Sequence, residues 1–81
     1  MRVTVRLFAR LRDIVGTGEL TQEIAQGSTI GDVWRALVRG YPDLAAYTSS
    51  VSGARNADYV SMDAALADGD EVAFLPPVSG G

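Results

Sequence analysis

Residues 28–42 read STIGDVWRALVRGYP, and this stretch carries the clearest structural signal in the sequence. Its apolar side chains recur at intervals of three and four, which is the spacing of one face of an α-helix. The members of this apolar face are Ile30, Val33, Trp34, Leu37, Val38 and Tyr41. The pattern therefore predicts one amphipathic helix packed on a core, with both Trp34 and Tyr41 buried in that core.

The ends of this helix are also marked in the sequence. Ser28 or Thr29 offers a side-chain oxygen to the first free backbone N–H groups, which is the usual N-cap chemistry. Gly40 and Pro42 stand where the apolar pattern stops, and both residue types terminate helices. We therefore expect the helix to begin at Ile30 and to end before Pro42.

A strand, a short helix and a second strand precede the main helix. The alternation in RVTVRLF, residues 2–8, predicts a strand with one buried face. A short helix follows, and Gly16 closes it. The apolar positions of this short helix are Phe8, Leu11 and Val15. Alternation returns in ELTQEI, residues 19–24, which we expect to form a hairpin with the first strand.

The C-terminal half is less regular. After the main helix we expect a loop or a short helical turn, then a strand at residues 51–55. A turn at residues 56–58 leads to a short strand at residues 59–61. The Asp-Gly pair within residues 68–70 is a strong turn signal, and the final strand covers residues 71–75.

This order of elements predicts an α+β fold, in which one main helix and a short first helix pack against a mixed sheet. If the first and last strands pair in parallel at the centre of the sheet, the topology is the β-grasp, or ubiquitin-like, fold. Residues 1–75 then form one domain, and residues 76–81 form a flexible C-terminal tail.

Composition restricts the class of protein. The chain has 81 residues, 47% of them hydrophobic and 21% charged, which is typical of a globular domain. Its net charge is −3, and an acidic domain is a poor match for nucleic acid, which is bound mainly through neutralised phosphates. No run approaches the roughly 20 apolar residues of a membrane span, and no signal sequence precedes the first strand. We therefore expect a cytoplasmic protein with no nucleic-acid or membrane partner.

Three reactive residue types are missing from the chain. It has no cysteine, no histidine and no lysine, so all seven basic residues are arginines. These types supply most nucleophiles and general bases near neutral pH, and Cys and His are common metal ligands. We therefore expect neither an independent enzyme nor a metal site. The remaining acidic cluster lacks the spacing of a calcium loop, so we assign it to turns and solubility; its members are Asp63, Asp68, Asp70 and Glu71.

The last eight residues, FLPPVSGG, have a composition suited to insertion into another protein. Each proline fixes φ and favours an extended path, and the two glycines lack a Cβ and keep the tail thin. Fully extended, residues 76–81 span at most roughly 20 Å. The candidate site residues of the tail are Pro76, Pro77, Val78, Ser79, Gly80 and Gly81. A frayed terminus is the plainer interpretation of the same residues.

Two stretches carry a resemblance that runs from end to end. The first, VRLFARLRDIVG, matches an apolar strand followed by F-A-x-L-R-E-x-x-G, with Asp13 in place of the glutamate. The second, ARNADYVSMDAALADGDEVAFLPPVSGG, contains L-x-D-G-D-E-V-A-F-x-P-P-V-x-G-G intact from Leu66 to Gly81. In both stretches the chain resembles the MoaD family of ubiquitin-like sulfur carriers, the small subunits of molybdopterin synthase.

This resemblance implies a β-grasp fold and a carrier role. In the family, an adenylyltransferase of the ubiquitin-activating type uses ATP to adenylate the terminal glycine, which is Gly81 here and follows Gly80. Sulfur then replaces AMP and gives a thiocarboxylate. This tail enters the large subunit of molybdopterin synthase and donates sulfur to a pyranopterin precursor of the molybdenum cofactor. The small subunit binds no cofactor of its own, and the two kinds of subunit form a heterotetramer.

The resemblance also implies a docking surface. Val72 and Phe74 share one face of the last strand, and Leu75 lies on the other. If the first face is core, Leu75 is exposed beside the tail, where Tyr59 on a short neighbouring strand joins it. The family docks through a hydrophobic sheet surface, and Tyr59 and Leu75 occupy the matching positions. The alternative is that both residues complete the core.

Other functions are compatible with the same residues. A carrier for thiamine or cysteine synthesis is one, although thiamine carriers are usually shorter and lack a helix like FARLRD. A ubiquitin-like modifier joined through Gly81 to lysines of targets is a second, and an interaction module with an idle tail is a third. Arg10 and Arg12 either contact acidic groups of a partner or are solvated charges. We expect the tail to be disordered in the free domain.

Overall fold

The computed structural model of the chain describes residues 1–77, which form a five-stranded mixed sheet with helices packed against it. The elements are β1 (Arg2–Leu7), α1 (Ala9–Val15), β2 (Glu19–Glu23), α2 (Ile30–Gly40), a 3₁₀ helix (Pro42–Tyr47), β3 (Ser52–Arg55), β4 (Asp58–Val60) and β5 (Glu71–Leu75). Each predicted strand and helix lies within one residue of its position in the sequence analysis.

The strand order across the sheet is β2-β1-β5-β3-β4. The first and last strands of the chain, β1 and β5, are parallel neighbours, with Val5 opposite Val72 and Leu7 opposite Phe74. All other neighbouring pairs are antiparallel. This is the β-grasp arrangement, so the predicted fold class is confirmed.

A capping box begins α2. Thr29 is the N-cap, and its side chain accepts a hydrogen bond from the Asp32 backbone N–H at 3.2 Å. The Asp32 carboxylate accepts one from the Thr29 backbone N–H at 2.9 Å. This backbone hydrogen bond, together with a hydrogen-bonded ion pair to Arg35, lowers the pKa of Asp32 below its ordinary value of 3.8. The backbone N–H groups and the side chains of Thr29 and Asp32 are thereby paired with one another at the start of the helix.

The apolar face of α2 packs on the sheet, as predicted. Trp34 is 2% exposed, its indole N–H donates to the Thr48 hydroxyl at 3.0 Å, and its ring centroid lies 5.1 Å from that of Phe74. The other large buried side chains of the core are Val3, Val5, Leu7, Leu11, Ile30, Val33, Leu37, Leu44, Leu66 and Val72. Side chains from both central strands and from both α-helices therefore share one core.

The prediction that Tyr41 is buried is wrong, because its side chain is 39% exposed. Tyr41 is the C-cap of α2 and has φ −136° and ψ 80°, so the backbone has already left the helical path. Its side chain therefore no longer continues the apolar face of the helix. Leu44, on the following 3₁₀ helix, is fully buried and fills the core in this region.

The short helix α1 ends as the sequence predicted. Gly16 has φ 92°, in the left-handed region that suits glycine, and its N–H donates to the Arg12 carbonyl at 2.8 Å. Leu11 is fully buried beneath the helix. Within residues 1–77, the helices are too short and too polar for any of them to traverse a bilayer.

Candidate functional site

The predicted tail begins after Leu75, which is the last residue of the central strand β5. Because β1 and β5 are parallel, Leu7 and Phe74 lie side by side near one edge of the sheet, and Leu75 ends β5 there. Pro76 is half-buried and Pro77 is exposed. The other predicted tail residues, Val78, Ser79, Gly80 and Gly81, lie outside the described residues, as does the prediction that the tail is disordered.

The side chains of β5 are divided between a buried face and an outer face, as the docking prediction assumed. Val72 and Phe74 point into the core and are fully buried. Ala73 and Leu75 occupy the opposite face and are half-buried. Leu75 is therefore on the outer face of the sheet, next to the point where the tail begins.

A shallow depression of about 270 Å³ lies on this outer face. Its apolar lining consists of Phe8, Ala54, Ala57, Tyr59, Ala73 and Leu75. Register explains the grouping, because Ala73 of β5 is opposite Ala54 of β3, which is opposite Tyr59 of β4. The structure thus brings Tyr59 and Leu75 together, as predicted, and Tyr59 is 72% exposed.

Phe8 belongs to this depression and not to the apolar face of α1, so the sequence assignment of Phe8 was wrong. Its backbone is extended, with φ −125° and ψ 153°, and Ala9 is the first residue of the helix. Phe8 therefore continues the alternation of β1, and because Leu7 points inward Phe8 points outward. Its side chain is 41% exposed.

Sequence reasoning also missed the small residues of the depression. Ala54 and Ala73 carry no signal of their own, and only the pairing of β3 with β5 brings them together. Phe8 did carry a signal, namely the strict period-two pattern of the preceding strand, which extends one residue further than the helical spacing suggested.

Charged side chains occupy the β1–β2 side of the same face. The Arg6 guanidinium also lines the depression, and one of its nitrogens lies 3.9 Å from a carboxylate oxygen of Glu19 and 3.9 Å from one of Glu71. Arg2 and Glu23 form a closer pair at 2.7 Å. These side chains are about half exposed or more, so the pairs add little to stability. The outer face is consequently divided into an apolar half and a charged half.

The β3–β4 turn that holds Tyr59 is tied to β5 by Asn56. The Asn56 backbone N–H donates to the Glu71 carbonyl at 2.8 Å, and its side-chain oxygen accepts from the Glu71 N–H at 2.9 Å. Its side-chain nitrogen donates to the Asp70 carboxylate at 3.0 Å. Asn56 and Ala57 both have positive φ, of 50° and 73°. The turn is therefore fixed relative to the central strand next to the depression.

Of the acidic residues that the sequence analysis assigned to turns and solubility, Asp70 stabilises the turn before β5, and Asp68 links this turn to the start of β1. The Asp68 carboxylate accepts from the Arg2 backbone N–H at 2.8 Å, and that of Asp70 accepts from the Ala67 N–H at 2.8 Å. The hydrogen bond from Ala67, followed by that from Asn56, lowers the pKa of Asp70 below its ordinary value of 3.8. Within residues 1–77, the acidic side chains do not gather into a group that could hold a metal ion.

The two arginines of α1 are exposed, and their proposed role in partner contact stays a prediction. Arg10 and Arg12 both project from the first turns of α1, close in sequence to Phe8. A Cβ placed on Gly18 would lie 3.2 Å from Cδ of Arg12, so the Arg12 side chain runs past the glycine at close range. The direction of Arg12 is thus partly set by its packing.

Comparisons with known proteins extend over nearly the full chain. The model of the ThiS family matches residues 5–81. The molybdopterin synthase sulfur carrier subunit of Escherichia coli is 39% identical over 82 residues, covering 98% of this chain and 99% of that protein. Small archaeal modifier protein 1 of Haloferax volcanii is 33% identical over 84 residues, covering 94% of this chain and 97% of that protein.

A solved structure is also similar to this chain over nearly its whole length. The putative molybdopterin converting factor subunit 1 of Pyrococcus furiosus superposes with a TM-score of 0.85 at 31% identity, covering 96% of this chain and 99% of that one. The family match covers nearly the whole sequence, including the segments FARLRD and DGDEVAF, which suggested the family. The chain therefore belongs to the ThiS family of β-grasp proteins.

Proposed function

We propose that this protein is a sulfur carrier for the biosynthesis of molybdopterin. Family membership and similarity to carrier subunits such as that of E. coli support this function. The observation that carries it is the position of Leu75, which ends a central strand, lines an exposed apolar depression and directly precedes Pro76 and Pro77. A protein that takes up the tail would meet this depression at the same time.

The chemistry belongs to the C-terminal carboxylate of Gly81. This group is an anion at neutral pH, since its reference pKa is about 3.5. It attacks the α-phosphate of ATP, pyrophosphate leaves, and an acyl-adenylate forms. Hydrosulfide or an equivalent sulfur donor then attacks the acyl carbon, AMP leaves, and the product is a thiocarboxylate. The chain has no cysteine, histidine or lysine, so a partner supplies ATP binding and the sulfur source.

Two partners follow from this scheme. One is an adenylyltransferase of the ubiquitin-activating type, which admits Gly80 and Gly81 and uses ATP, so that the carrier binds no cofactor itself. The other is the large subunit of molybdopterin synthase, with which the carrier forms a heterotetramer. Tyr59 and Leu75 dock on the large subunit, and Pro76, Pro77, Val78 and Ser79 pass into it. Side chains at Gly80 or Gly81 would have to fit both enzymes, which explains why the tail ends in glycine.

The first test is the intact mass of the full chain after incubation with the adenylyltransferase, ATP and sulfide. We expect a mass gain equal to the replacement of one oxygen by sulfur, and no gain in a variant lacking Gly81. The same enzyme must convert another carrier in parallel. If that carrier gains sulfur and this chain does not, the sulfur carrier function is wrong.

A second candidate function is covalent modification of other proteins. The similarity to small archaeal modifier protein 1 favours it. In that case the activated carboxylate of Gly81 forms an isopeptide bond with a lysine amine of a target. The two functions differ in product, because tryptic digestion of the target would release a lysine that carries residues 56–81 of this chain, which follow its last arginine, Arg55, only if the chain is a modifier.

The sulfur acceptor separates the molybdopterin pathway from other sulfur pathways. We expect the thiocarboxylated chain, mixed with the large subunit of molybdopterin synthase and the cyclic pyranopterin precursor, to lose its sulfur as the dithiolene forms. A thiocarboxylated chain that keeps its sulfur under these conditions, while an authentic small subunit loses its own, would point to thiamine or cysteine synthesis instead.

A further inference from the structure

We infer that the outer-face depression receives one aromatic side chain from the protein that takes up the tail. This inference rests on the proposed function, because it concerns how the carrier is held while the tail is used. It adds the kind of group that the docking surface recognises.

The floor of the depression leaves room for a large side chain. It is formed by Ala54 and Ala73, which face each other across β3 and β5 and present only methyl groups. Ala54 is 6% exposed, whereas the surrounding Phe8 and Tyr59 are 41% and 72% exposed. Small residues between larger ones make a hollow, and well-packed interfaces fill such hollows with large anchor residues.

The walls of the depression favour an aromatic occupant. Phe8 and Tyr59 both line it, so an incoming ring can pack in edge-to-face or offset geometry. Arg6 also lines it, and a guanidinium attracts the face of an aromatic ring. Packing against Phe8, Tyr59 and Leu75 would also remove their exposed apolar surface from water.

Charge complementarity excludes a carboxylate as the occupant. Arg6 lies between Glu19 and Glu71 at 3.9 Å from each, so one cation faces two anions and the local balance is negative. A third carboxylate from a partner would be repelled by these two. An uncharged ring meets no such cost, because it can use the Arg6 guanidinium without displacing its present partners.

The position of the tail identifies the source of the ring. Leu75 lines the depression and is followed directly by Pro76 and Pro77, with four further residues beyond. Four residues reach at most roughly 14 Å when extended, so a protein that holds Gly81 in a pocket is close to the depression. The protein that takes up the tail is therefore expected to provide the aromatic side chain.

Filling the depression tests the inference. Ala73→Leu places a branched side chain on its floor, and Ala73→Val fills it less. Thr21→Leu is the matched control, since Thr21 lies on the same outer face at the edge strand β2, opposite Thr4 and outside the depression. The probe is the recombinant large subunit of molybdopterin synthase, titrated with each full-length variant by calorimetry.

We expect the Kd to rise at least about tenfold for Ala73→Leu and less for Ala73→Val. For Thr21→Leu we expect a change within about twofold. Circular dichroism should show native spectra for all three. Surface aromatic residues of the large subunit are then changed to alanine, and one of them should weaken wild-type binding and have little further effect on Ala73→Leu, as expected for a coupled pair.

Several results would overturn the inference. If Ala73→Leu binds like the wild type, the depression receives no side chain. If no aromatic residue of the large subunit is coupled to Ala73, the occupant is not an aromatic ring. If the wild-type chain dimerises alone and Ala73→Leu abolishes the dimer, the occupant is a second copy. If the wild type fails to bind the large subunit, the proposed partner is wrong and the inference falls with it.

Discussion

Among the glycines of residues 1–77, Gly53 leaves the least room for an added side chain. It lies on β3, opposite Phe74 of β5, and a Cβ added there would stand 2.9 Å from Cγ2 of Ile30. The side chain of Ile30 is fully buried at the start of α2, so it has little freedom to move away. The absence of a side chain on β3 is thus what lets the helix approach the sheet.

We expect Gly53→Ala to lower the free energy of unfolding by about 1–3 kcal/mol, the usual range for overpacking a core. Urea denaturation followed by circular dichroism measures this change. Gly40→Ala is the control, because nothing lies within 4 Å of its added Cβ and alanine favours the last turn of α2. Equal stability of Gly53→Ala and the wild type would show that Ile30 yields without cost.

Ala57 has a side chain at a position whose backbone conformation favours glycine. Its φ is 73°, and left-handed backbone costs a residue with a Cβ roughly 1 kcal/mol. We expect Ala57→Gly to leave stability unchanged or to raise it by up to about 1 kcal/mol, since relief of strain offsets the greater chain entropy of glycine. Thermal unfolding of Ala57→Gly and of Ala67→Gly, whose backbone has no positive φ, provides the comparison. If Ala57→Gly lost as much thermal stability as Ala67→Gly, the backbone at Ala57 would not be strained.

At the scale of elements, the start of α2 depends on the capping box. The sequence offered Ser28 and Thr29 as caps, and the structure selects Thr29. We expect Thr29→Ala to cost about 1 kcal/mol of unfolding free energy, because the Asp32 N–H loses its partner. Thr29→Ser keeps the hydroxyl and should recover most of that loss in the same denaturation experiment. Equal losses in both variants would assign the effect to the threonine methyl group.

The turn before β5 gives the fold a dependence on acidic pH. Asp70 accepts hydrogen bonds from Ala67 and Asn56, and its folded-state pKa is lower than its ordinary 3.8. A lowered pKa means that the ionised group stabilises the folded state above the unfolded-state pKa, and that this contribution is lost as pH falls through the folded-state pKa. We therefore expect Asp70→Asn to reduce the loss of thermal stability as the pH falls from about 5 to about 2. An identical pH profile in Asp70→Asn would show that other carboxylates control it.

At the scale of the whole molecule, the residues that form the core and those that carry the proposed chemistry lie in different parts of the chain. Phe74 is fully buried and packs on Trp34, and Leu75 is the last residue of the sheet. Within residues 1–77, Phe74 is the last buried residue of the core. The tail beyond Pro77 is therefore expected to serve partners and not stability.

We expect deletion of residues 78–81 to leave the urea midpoint unchanged and to abolish thiocarboxylate formation. Phe74→Leu is the contrasting variant, because it removes buried ring atoms but keeps the tail. It should lower the free energy of unfolding by about 1 kcal/mol or more. A marked loss of stability on deletion would show that the tail contributes to the domain, and the division into residues 1–75 and residues 76–81 would need revision.

Features that depend on neighbours along the chain could be predicted from the sequence alone. The apolar face of residues 28–42 predicted α2, and the alternations at both ends predicted β1 and β5, because helix and strand periodicities differ. The sequence also placed Leu75 beside the tail and indicated the family through two motifs, of which the C-terminal one is intact and the N-terminal one departs from the pattern at Asp13. The buried state of Trp34 followed from the same pattern and is confirmed.

Which side chains become neighbours in space depends on how the elements assemble, and local patterns in the sequence do not show it. Tyr41 and Phe8 were misassigned because each is at the end of an element, where one change of backbone angle turns the side chain to another face. The parallel pairing of β1 with β5 is a contact between residues about 67 apart in the chain, as for Val5 and Val72, and no local pattern specifies it. The depression arises from this pairing, because Phe8, Ala54, Tyr59 and Ala73 come from four strands or their ends and become neighbours only when the sheet is assembled.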